Sequence, residues 1–327
     1  MYYLIDNRDL RDPALNLALE EYAVRHLDMT HEYALLYVNS PCIIIGRHQN
    51  AFEEINYPYI LKNNFPVYRR ISGGGTVYHD PGNLNFSFIT RYDKKKFNNY
   101  AYFNRTIMEA LHALHIPAEL NQRNDIVIAG KKVSGNAQFT SLDRMVSHGT
   151  LLFKAGLATL RETLKPPAYR VTSRSIKSVR SAVTNISGYL AAESDISTFK
   201  EAIAQNIFGQ QIRVENYSFS PAEWEQIQQL AETKYRQWDW NFGESPLFQL
   251  EIRRQRGEKV TLLSLKVKHG KIEKLDFQGK DFTEIQIQLL QEKLTGARFT
   301  PGEVRSRLDK IHGGIDMEVF LELLFAP

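Results

Sequence analysis

The sequence predicts an α+β protein with two domains: a large one, in which helices cover a mixed or antiparallel sheet, and a smaller α+β one. Short apolar stretches typical of strands recur between Tyr33 and Phe153, and segments with helical spacing lie between them. The 327 residues also exceed the usual size of a single hydrophobic core. We place the boundary near residue 245, so that residues 1–245 form the large domain and residues 246–327 the small one.

In the first half of the chain, helices are predicted from apolar residues at helical spacing and strands from short apolar runs. Asp12 and Pro13, followed by apolar residues at helical spacing, predict a capped helix. The stretch 42–46 is almost wholly apolar, which predicts a strand buried on both faces. The other predicted elements are strands over 33–39, 66–71, 84–89 and 144–153, helical residues over 49–64 and 97–115, and a hairpin over 125–139 that turns at 129–131.

The second half changes character. Short helices predominate from residue 156, interrupted by the basic, serine-rich stretch 170–187, which we expect to be mobile. After residue 248 the pattern predicts three short strands up to residue 277, and then helices over 282–294, 301–309 and 316–325.

Composition excludes several classes of protein. Forty-one Lys and Arg against thirty-seven Asp and Glu give a net charge of +4, which favours anionic ligands or acidic partners without requiring nucleic acid. The single cysteine, Cys42, excludes an internal disulfide framework and favours a reducing compartment, so we expect a cytoplasmic protein. Charges begin at Asp6 and no stretch reaches about 18 uninterrupted apolar residues, so we expect neither a signal peptide nor a membrane anchor.

The stretch RRISGGGTVYHDPGNLNFSF at 69–88 combines charge with bare backbone. Glycines can expose several N–H donors, which suits a phosphate or a thin acyl chain, although a tight strand connection is the alternative. The loop matches neither the P-loop nor the G-x-G-x-x-G fingerprint, so charge must come from side chains. Because neighbouring strand residues face opposite ways, we expect one of Arg69 and Arg70 to face the ligand and the other to pair with a surface carboxylate.

A second cluster lies in the hairpin. We expect Lys131 to be solvated at its tip and Lys132 to point toward a cleft, beside a strand of small residues at 134–137. His79 and His148 are either satisfied polar residues at strand ends or functional groups, and neither has metal-ligand spacing. Cys42 fits a small core residue better than a nucleophile.

Together these stretches resemble the lipoate-protein ligase family. The resemblance extends from residue 16 to about residue 248 and is looser in the small domain, which is similar to the family's accessory domain. It rests on RRISGGGTVYHDPGN, RNDI, GKKVSGNAQ, HGTLLF, IGRHQN, SVRSAVTNI and WNFGESPLF.

The resemblance implies an ATP-dependent, adenylate-forming ligase for lipoate salvage. Lipoate and ATP would give lipoyl-AMP and pyrophosphate, and a lysine of a lipoyl domain would then take the lipoyl group. The acceptor would be a 2-oxoacid dehydrogenase E2 subunit or the glycine cleavage H protein, and the ligase would be a monomer. By this resemblance Lys132 is catalytic; the ATP-binding residues are Arg70, Gly75, Thr76, Val77, Tyr78, Asn83, Asp125 and Lys132; and the lipoate-binding residues are Lys132, Ser72, Gly73, Gly74, Gly135 and His148. Mg²⁺ would arrive with ATP, without protein ligands of its own, and the 170–187 stretch would act as a lid.

Two departures keep alternatives open. Many family members have two histidines before Gly-Thr, whereas here Ser147 precedes His148. Octanoyl and lipoyl transferases are similar around the glycine loop but use a cysteine nucleophile, and Cys42 does not match that position. A lipoyl-binding or nucleic-acid-binding module is a third possibility, supported by the basic 170–187 stretch alone. We expect no nucleic-acid partner.

Overall fold

A computed structural model describes residues 1–165, 169–207, 214–256, 259–279, 282–309 and 315–325. Its contacts divide the chain into two units. The first comprises Met1–Arg47, Pro66–Arg161 and Ser178–Gln237, and the second comprises His48–Phe65, Glu162–Lys177 and Trp238–Pro327. The domain boundary near residue 245 stays a prediction.

The described residues form strands and helices in the following order along the chain. The strands are β1 (Tyr2–Ile5), β2 (Glu32–Val38), β3 (Cys42–Ile45), β4 (Val67–Arg69), β5 (Val77–His79), β6 (Asn83–Arg91), β7 (Glu119–Leu120), β8 (Ile126–Ile128), β9 (Lys131–Ser134), β10 (Asn136–Ser141), β11 (Arg144–Leu152), β12 (Arg170–Ser173), β13 (Val214–Tyr217), β14 (Phe248–Arg256), β15 (Lys259–Lys268) and β16 (Lys271–Gln278). The helices are α1 (Pro13–His26), α2 (Ala51–Glu54), α3 (Tyr57–Lys62), α4 (Tyr100–Ala113), α5 (Leu157–Thr163), α6 (Ile196–Asn206), α7 (Pro221–Leu230), α8 (Glu284–Leu294), α9 (Pro301–Leu308) and α10 (Met317–Phe325).

The first unit is built on a six-stranded mixed sheet in the order β10-β11-β6-β2-β1-β13. Strands β1 and β2 pair in parallel, which requires the crossover that α1 supplies. Two three-stranded sheets accompany it, in the orders β4-β3-β5 and β7-β8-β9. The glycine loop therefore joins two strands of one small sheet, and Lys132 lies on a strand of the other.

The register of the large sheet sets one side chain on each of three strands in line. Leu35 of β2 lies opposite Ser87 of β6, and Ser87 lies opposite His148 of β11. Because side chains alternate along a strand, these three share one face, and α1 covers that face through contacts with β6 and β11. The other face holds the hydrophobic core, whose members include Leu36, Phe86, Ile107, Met145, Leu151 and Phe199.

The second unit contains the antiparallel sheet β12-β14-β15-β16 and helices α8, α9 and α10. A tight turn joins β15 to β16 through Gly270, which has a φ of +67°. A Cβ at Gly270 would lie 2.3 Å from Cη2 of Trp238, so only glycine lets this indole pack on the turn.

The α+β class and most of the predicted elements are confirmed, including the hairpin turn at Ala129 and Gly130, both with positive φ. Residues 257 and 258, inside the predicted strand stretch, lie outside the described residues. The short strands β1, β5, β7, β12 and β13 were not predicted, because each has two to four residues and no clear alternation. Residues 134–137 were predicted to lie on one strand, whereas β9 ends at Ser134 and β10 begins at Asn136.

Among the described residues, no helix combines the length and the apolar character needed to cross a bilayer.

Candidate active site

The triple-glycine loop packs directly on β10. Gly74 has a φ of +86°, and a Cβ added to it would lie 2.8 Å from Arg70 Nη2 and 3.3 Å from Ala137 Cβ. Gly75 lies as close to the 178–184 segment, since its Cβ would be 3.0 Å from Ser178 Oγ. The glycines therefore permit a close approach of backbone to two neighbours, which a simple strand connection would not require.

Arg70 holds the shape of this loop. Its Nε donates to Ser72 Oγ at 2.9 Å, and its Nη2 donates to the carbonyl oxygens of Gly73 at 2.6 Å and Gly75 at 2.8 Å. Burial lowers the pKa of Arg70 to about 10, with the negative charge of Glu20 opposing that shift. The guanidinium is thus still charged at neutral pH, and these contacts favour a role in positioning the loop.

Arg69 contradicts one expectation. It is fully buried, and its Nη1 donates to the carbonyl oxygens of Gly46 at 3.0 Å and Arg47 at 3.1 Å. The prediction that the second arginine would lie at the surface is wrong. A guanidinium with five donors can instead be buried among main-chain acceptors.

A buried polar line runs from the loop to α1. Ser72 Oγ lies 2.6 Å from His148 Nε2, and His148 Nδ1 lies 2.9 Å from both carboxylate oxygens of Glu20. Ser87 donates a further hydrogen bond to Glu20. Since ionised Glu20 can only accept, Nδ1 carries the proton and Nε2 accepts from the serine hydroxyl.

Glu20 is ionised in this environment. Burial opposes its ionisation, but the hydrogen bonds from His148 and Ser87 and the positive charge of Arg70 outweigh that effect and lower the pKa of Glu20. Glu20 is not among the residues predicted for the site. The available signal was a carboxylate at a buried position of α1, in register with the apolar Leu17 and Val24.

Lys132 and Asp125 form an ion pair beside the gap between β9 and β10. Lys132 Nζ lies 2.8 Å from Asp125 Oδ1, and the two side chains are 26% and 15% exposed. A Cβ at Gly135 would begin 3.0 Å from Lys132 Nζ, so this glycine leaves the ammonium accessible from the β10 side. Lys131, its neighbour, is exposed.

The 178–184 segment joins the two clusters. Lys132 N–H donates to Ala182 O at 2.8 Å, and Thr184 N–H donates to Lys132 O at 3.1 Å. Ser178 Oγ accepts from Thr76 N–H at 2.9 Å. One short segment therefore contacts both the residue after the glycine loop and the backbone of Lys132.

The other predicted ATP-binding residues, Val77, Tyr78 and Asn83, come after the glycine loop in the sequence. Val77 and Tyr78 lie on β5, an edge strand of its sheet, paired with Ile44 and Ile43. Asn83 is fully buried; its Nδ2 donates to Asn85 Oδ1 at 3.1 Å, while its Oδ1 has no hydrogen-bond partner among the described residues. The structure thus brings Ser72, Gly73, Gly74, Gly75, Thr76, Arg70 and His148 into one contact network, and Lys132, Asp125 and Gly135 into a second.

Ser147 and Cys42, which the sequence analysis singled out, are both buried. Ser147 is buried, and its hydroxyl accepts from Gln138 Nε2 at 3.3 Å. Because it neighbours His148 on a strand, it faces away from the polar line. Cys42 is fully buried, and burial, with Asp12 and Asp80 nearby, raises the pKa of its thiol well above the usual value. In the part of the chain that the structure describes, no three His, Cys, Asp or Glu side chains cluster as metal ligands would.

Family models match both parts of the chain. The lipoyl protein ligase A/B catalytic domain matches residues 12–208, and the bacterial lipoate protein ligase C-terminus matches residues 259–324. Lipoate-protein ligase LplJ of Bacillus subtilis is 41% identical over 98% of this chain and 99% of its own. Lipoate–protein ligase 1 of Staphylococcus aureus is also 41% identical, with the same coverage.

Solved structures share the fold. LipL1 of P. falciparum in complex with lipoate has a TM-score of 0.61 at 22% identity, covering 98% of this chain and 97% of its own. A lipoate-protein ligase A bound with ATP has a TM-score of 0.62 at 24% identity, covering 75% and 97%. A bi-partite lipoate protein ligase of Thermoplasma acidophilum, studied with its E2 lipoyl domain, has a TM-score of 0.63 at 23% identity, covering 78% and 98%. From the family models and the two close relatives, this chain belongs to the lipoate-protein ligase family.

Proposed function

We propose that this protein joins lipoate to ATP, giving lipoyl-AMP and pyrophosphate, and then transfers the lipoyl group to a lysine of a lipoyl domain. The observation that carries the proposal is the position of the Lys132 ammonium, which is partly buried, paired with Asp125 and bordered by the bare backbone of Gly135. The relatives named for this activity, and the neighbours that hold lipoate or ATP, support it.

In the first step a lipoate carboxylate oxygen attacks the α-phosphorus and pyrophosphate leaves. The two reactants are both anionic, so they repel each other on approach. A cation between them offsets that repulsion and stabilises the charge that develops in the transition state. We assign this role to Lys132, with Asp125 positioning its ammonium.

The other assignments follow the two contact networks. ATP would lie along Gly75, Thr76, Val77 and Tyr78, close to Arg70, Asn83 and Asp125, with Mg²⁺ bound to its phosphates. Lipoate would lie beside Ser72, Gly73, Gly74, Gly135 and His148, where small residues leave room for a thin chain. The 178–184 segment, which contacts Thr76 and Lys132, would help to exclude water from the adenylate.

In the second step the amine of the acceptor lysine attacks the acyl carbonyl, an amide forms and AMP leaves. The acceptor would be the lipoyl domain of a 2-oxoacid dehydrogenase E2 subunit or the glycine cleavage H protein, as the neighbour studied with an E2 lipoyl domain suggests. A monomer in the cytoplasm remains our expectation.

The test mixes purified protein with lipoate, ATP, Mg²⁺ and an apo lipoyl domain, and measures the mass of the domain. We expect an ATP-dependent gain of one lipoyl group. A domain whose mass is unchanged, with wild-type protein shown to be folded, would refute the ligase.

The cysteine-dependent transferase is the alternative, and the same assay distinguishes it. Cys42 is buried with a raised thiol pKa, which disfavours the thiolate that such an enzyme needs. We therefore expect a Cys42→Ser variant to keep lipoyl transfer, whereas loss of transfer by a folded variant would support the transferase.

A further inference from the structure

A line of buried amides ends at His79. Asn7 Nδ2 donates to Asn16 Oδ1 at 3.1 Å, Asn16 Nδ2 donates to Asn39 Oδ1 at 2.9 Å, and Asn39 Nδ2 lies 3.0 Å from His79 Nδ1. The first two amides also donate to Leu10 O, at 3.1 and 3.0 Å. All four side chains are buried.

This line fixes the tautomer of His79. Asn39 uses its oxygen to accept from Asn16, so the group that faces His79 is its NH₂. Nδ1 of His79 must then be the acceptor, and its ring proton lies on Nε2. Burial, with the positive charge of Arg70, lowers the pKa of His79 to about 3, so the ring is neutral at physiological pH.

The Nε2–H donor of His79 has no hydrogen-bond acceptor among the described residues. Nε2 is buried and has no hydrogen-bond partner there. A buried donor left without an acceptor is destabilising. A donor that three oriented asparagine side chains hold in a single tautomer indicates an acceptor that comes from outside the chain.

The surroundings of His79 place that acceptor at the far end of the proposed acyl site. His79 lies on β5, two residues after Val77, whose strand partner Ile44 accepts at its carbonyl oxygen from Arg70 Nη1 at 3.4 Å. Arg70 Nε in turn donates to Ser72 Oγ, the hydroxyl that contacts His148. Gly135, just before β10, borders Lys132 Nζ, while Ala137 on β10 lies opposite His148. An extended chain advances about 7 Å over the two residues from Gly135 to Ala137. Four extended methylene groups of an acyl chain span a similar length. A carboxylate at Lys132 would therefore bring the other end of its chain to His148 and its neighbours.

We propose that His79 Nε2–H donates to a sulfur of the lipoate dithiolane ring and thereby selects lipoate over octanoate. The inference rests on the proposed ligase function and deepens it. A disulfide sulfur is a weak acceptor that suits a neutral donor. Octanoate has no acceptor at that end, so its binding would leave the N–H unsatisfied, and that difference is the source of selectivity.

Binding experiments with matched variants test the selectivity. Calorimetry gives the Kd of lipoate and of octanoate for wild-type protein, His79→Leu and His79→Gln, with octanoate as the internal reference. Glutamine can place an N–H close to the Nε2 position, and leucine cannot. We expect His79→Leu to weaken lipoate binding by about fivefold relative to octanoate, and His79→Gln to restore most of the ratio. Equal weakening of both acids, or an unchanged ratio in both variants, would overturn the inference.

Wild-type protein supplies a measurement that does not depend on how the variants fold. With ¹⁵N-labelled histidine, NMR should show Nδ1 unprotonated and an Nε2–H resonance that shifts on addition of lipoate but not of octanoate. An equal shift with both acids, or none with lipoate, would mean that a buried water satisfies the donor, and the inference would fall. If the wild type bound neither acid and formed no adenylate, the ligase function itself would be contradicted.

Discussion

Lys132 is held at both ends: its ammonium lies 2.8 Å from Asp125 Oδ1, and its backbone is hydrogen-bonded to Ala182 and Thr184. An ordinary surface lysine loses its rotamer freedom only at a cost, so a cation fixed in this way is prepared for a specific anion. Its neighbour Lys131 is exposed and provides a matched comparison on the same strand.

Replacement of Lys132 should abolish adenylate formation. We expect Lys132→Ala to lower the rate of lipoate-dependent exchange of pyrophosphate into ATP by about 100-fold or more, because no other group replaces the bridging charge. Lys131→Ala should remain within about twofold of wild type, as is usual for a solvated side chain. Near-normal exchange by Lys132→Ala would remove the lysine from its assigned role.

Glu20→Gln should weaken the binding of lipoate more than that of ATP. The amide no longer offers the charge that holds His148 Nδ1–H, so the ring and its contact to Ser72 lose their fixed orientation. We expect the KM for lipoate to rise by about tenfold, since a hydrogen bond to a charged group is worth about 1.5–3 kcal/mol, with the KM for ATP little changed. Equal rises in both constants would indicate a general loss of structure.

Glu21 should make the protein sensitive to acid. Its carboxylate accepts from Lys234 Nζ at 2.7 Å, Tyr235 OH at 2.7 Å and Arg25 Nε at 2.8 Å. Burial opposes its ionisation, but hydrogen bonds from Lys234, Tyr235 and Arg25 and the charge of Lys234 outweigh that effect and lower its pKa. A depressed folded pKa contributes stability that is present above the unfolded value of 4.5 and is lost as the pH falls through the folded value.

Urea unfolding at pH 7 and pH 4 checks this contribution. We expect Glu21→Gln to lower the free energy of unfolding at pH 7 by about 3 kcal/mol and to reduce the loss of stability on acidification. Glu232→Gln, which removes an exposed ion pair with Arg236, is the control and should cost less than about 1 kcal/mol. The same acid response in wild type and Glu21→Gln would assign the effect to other carboxylates.

Gly82→Ala should destabilise the turn before β6. A Cβ there would lie 2.0 Å from the carbonyl oxygen of Lys154 and 2.6 Å from Ala155 N, both main-chain atoms that cannot move aside alone. We expect a loss of at least about 1–3 kcal/mol, seen as a lower melting temperature. Gly188→Ala is the matched control, because its Cβ meets nothing within 4 Å. Equal melting temperatures for the two variants would contradict the packing described here.

Local patterns were enough to predict most elements of the fold. The helix that begins after Asp12 and the strand at Cys42–Ile45 each carry their signal within a few residues, as a cap or an apolar run. The short parallel strands β1 and β13 carry none, because their pairing depends on partners far along the chain. Their existence follows from tertiary contacts, which override weak local preference.

The site was only partly predictable for the same reason. The glycine loop, Lys132 and His148 can be found from the sequence because the residues next to them form recognisable motifs. Glu20 does not, since its role depends on a contact with a residue 128 positions away. The oriented amides that end at His79 are likewise invisible in sequence, because asparagine is common in turns and at caps, where its partners are local.

Cys42 gives the protein a built-in reporter. As the chain's single thiol, fully buried and held in its protonated form, it is shielded from thiol-directed reagents while the sheet of β3, β4 and β5 stays closed. Its rate of alkylation would then measure how often that sheet opens, and a substrate bound against the adjoining loop would slow it without any label being introduced.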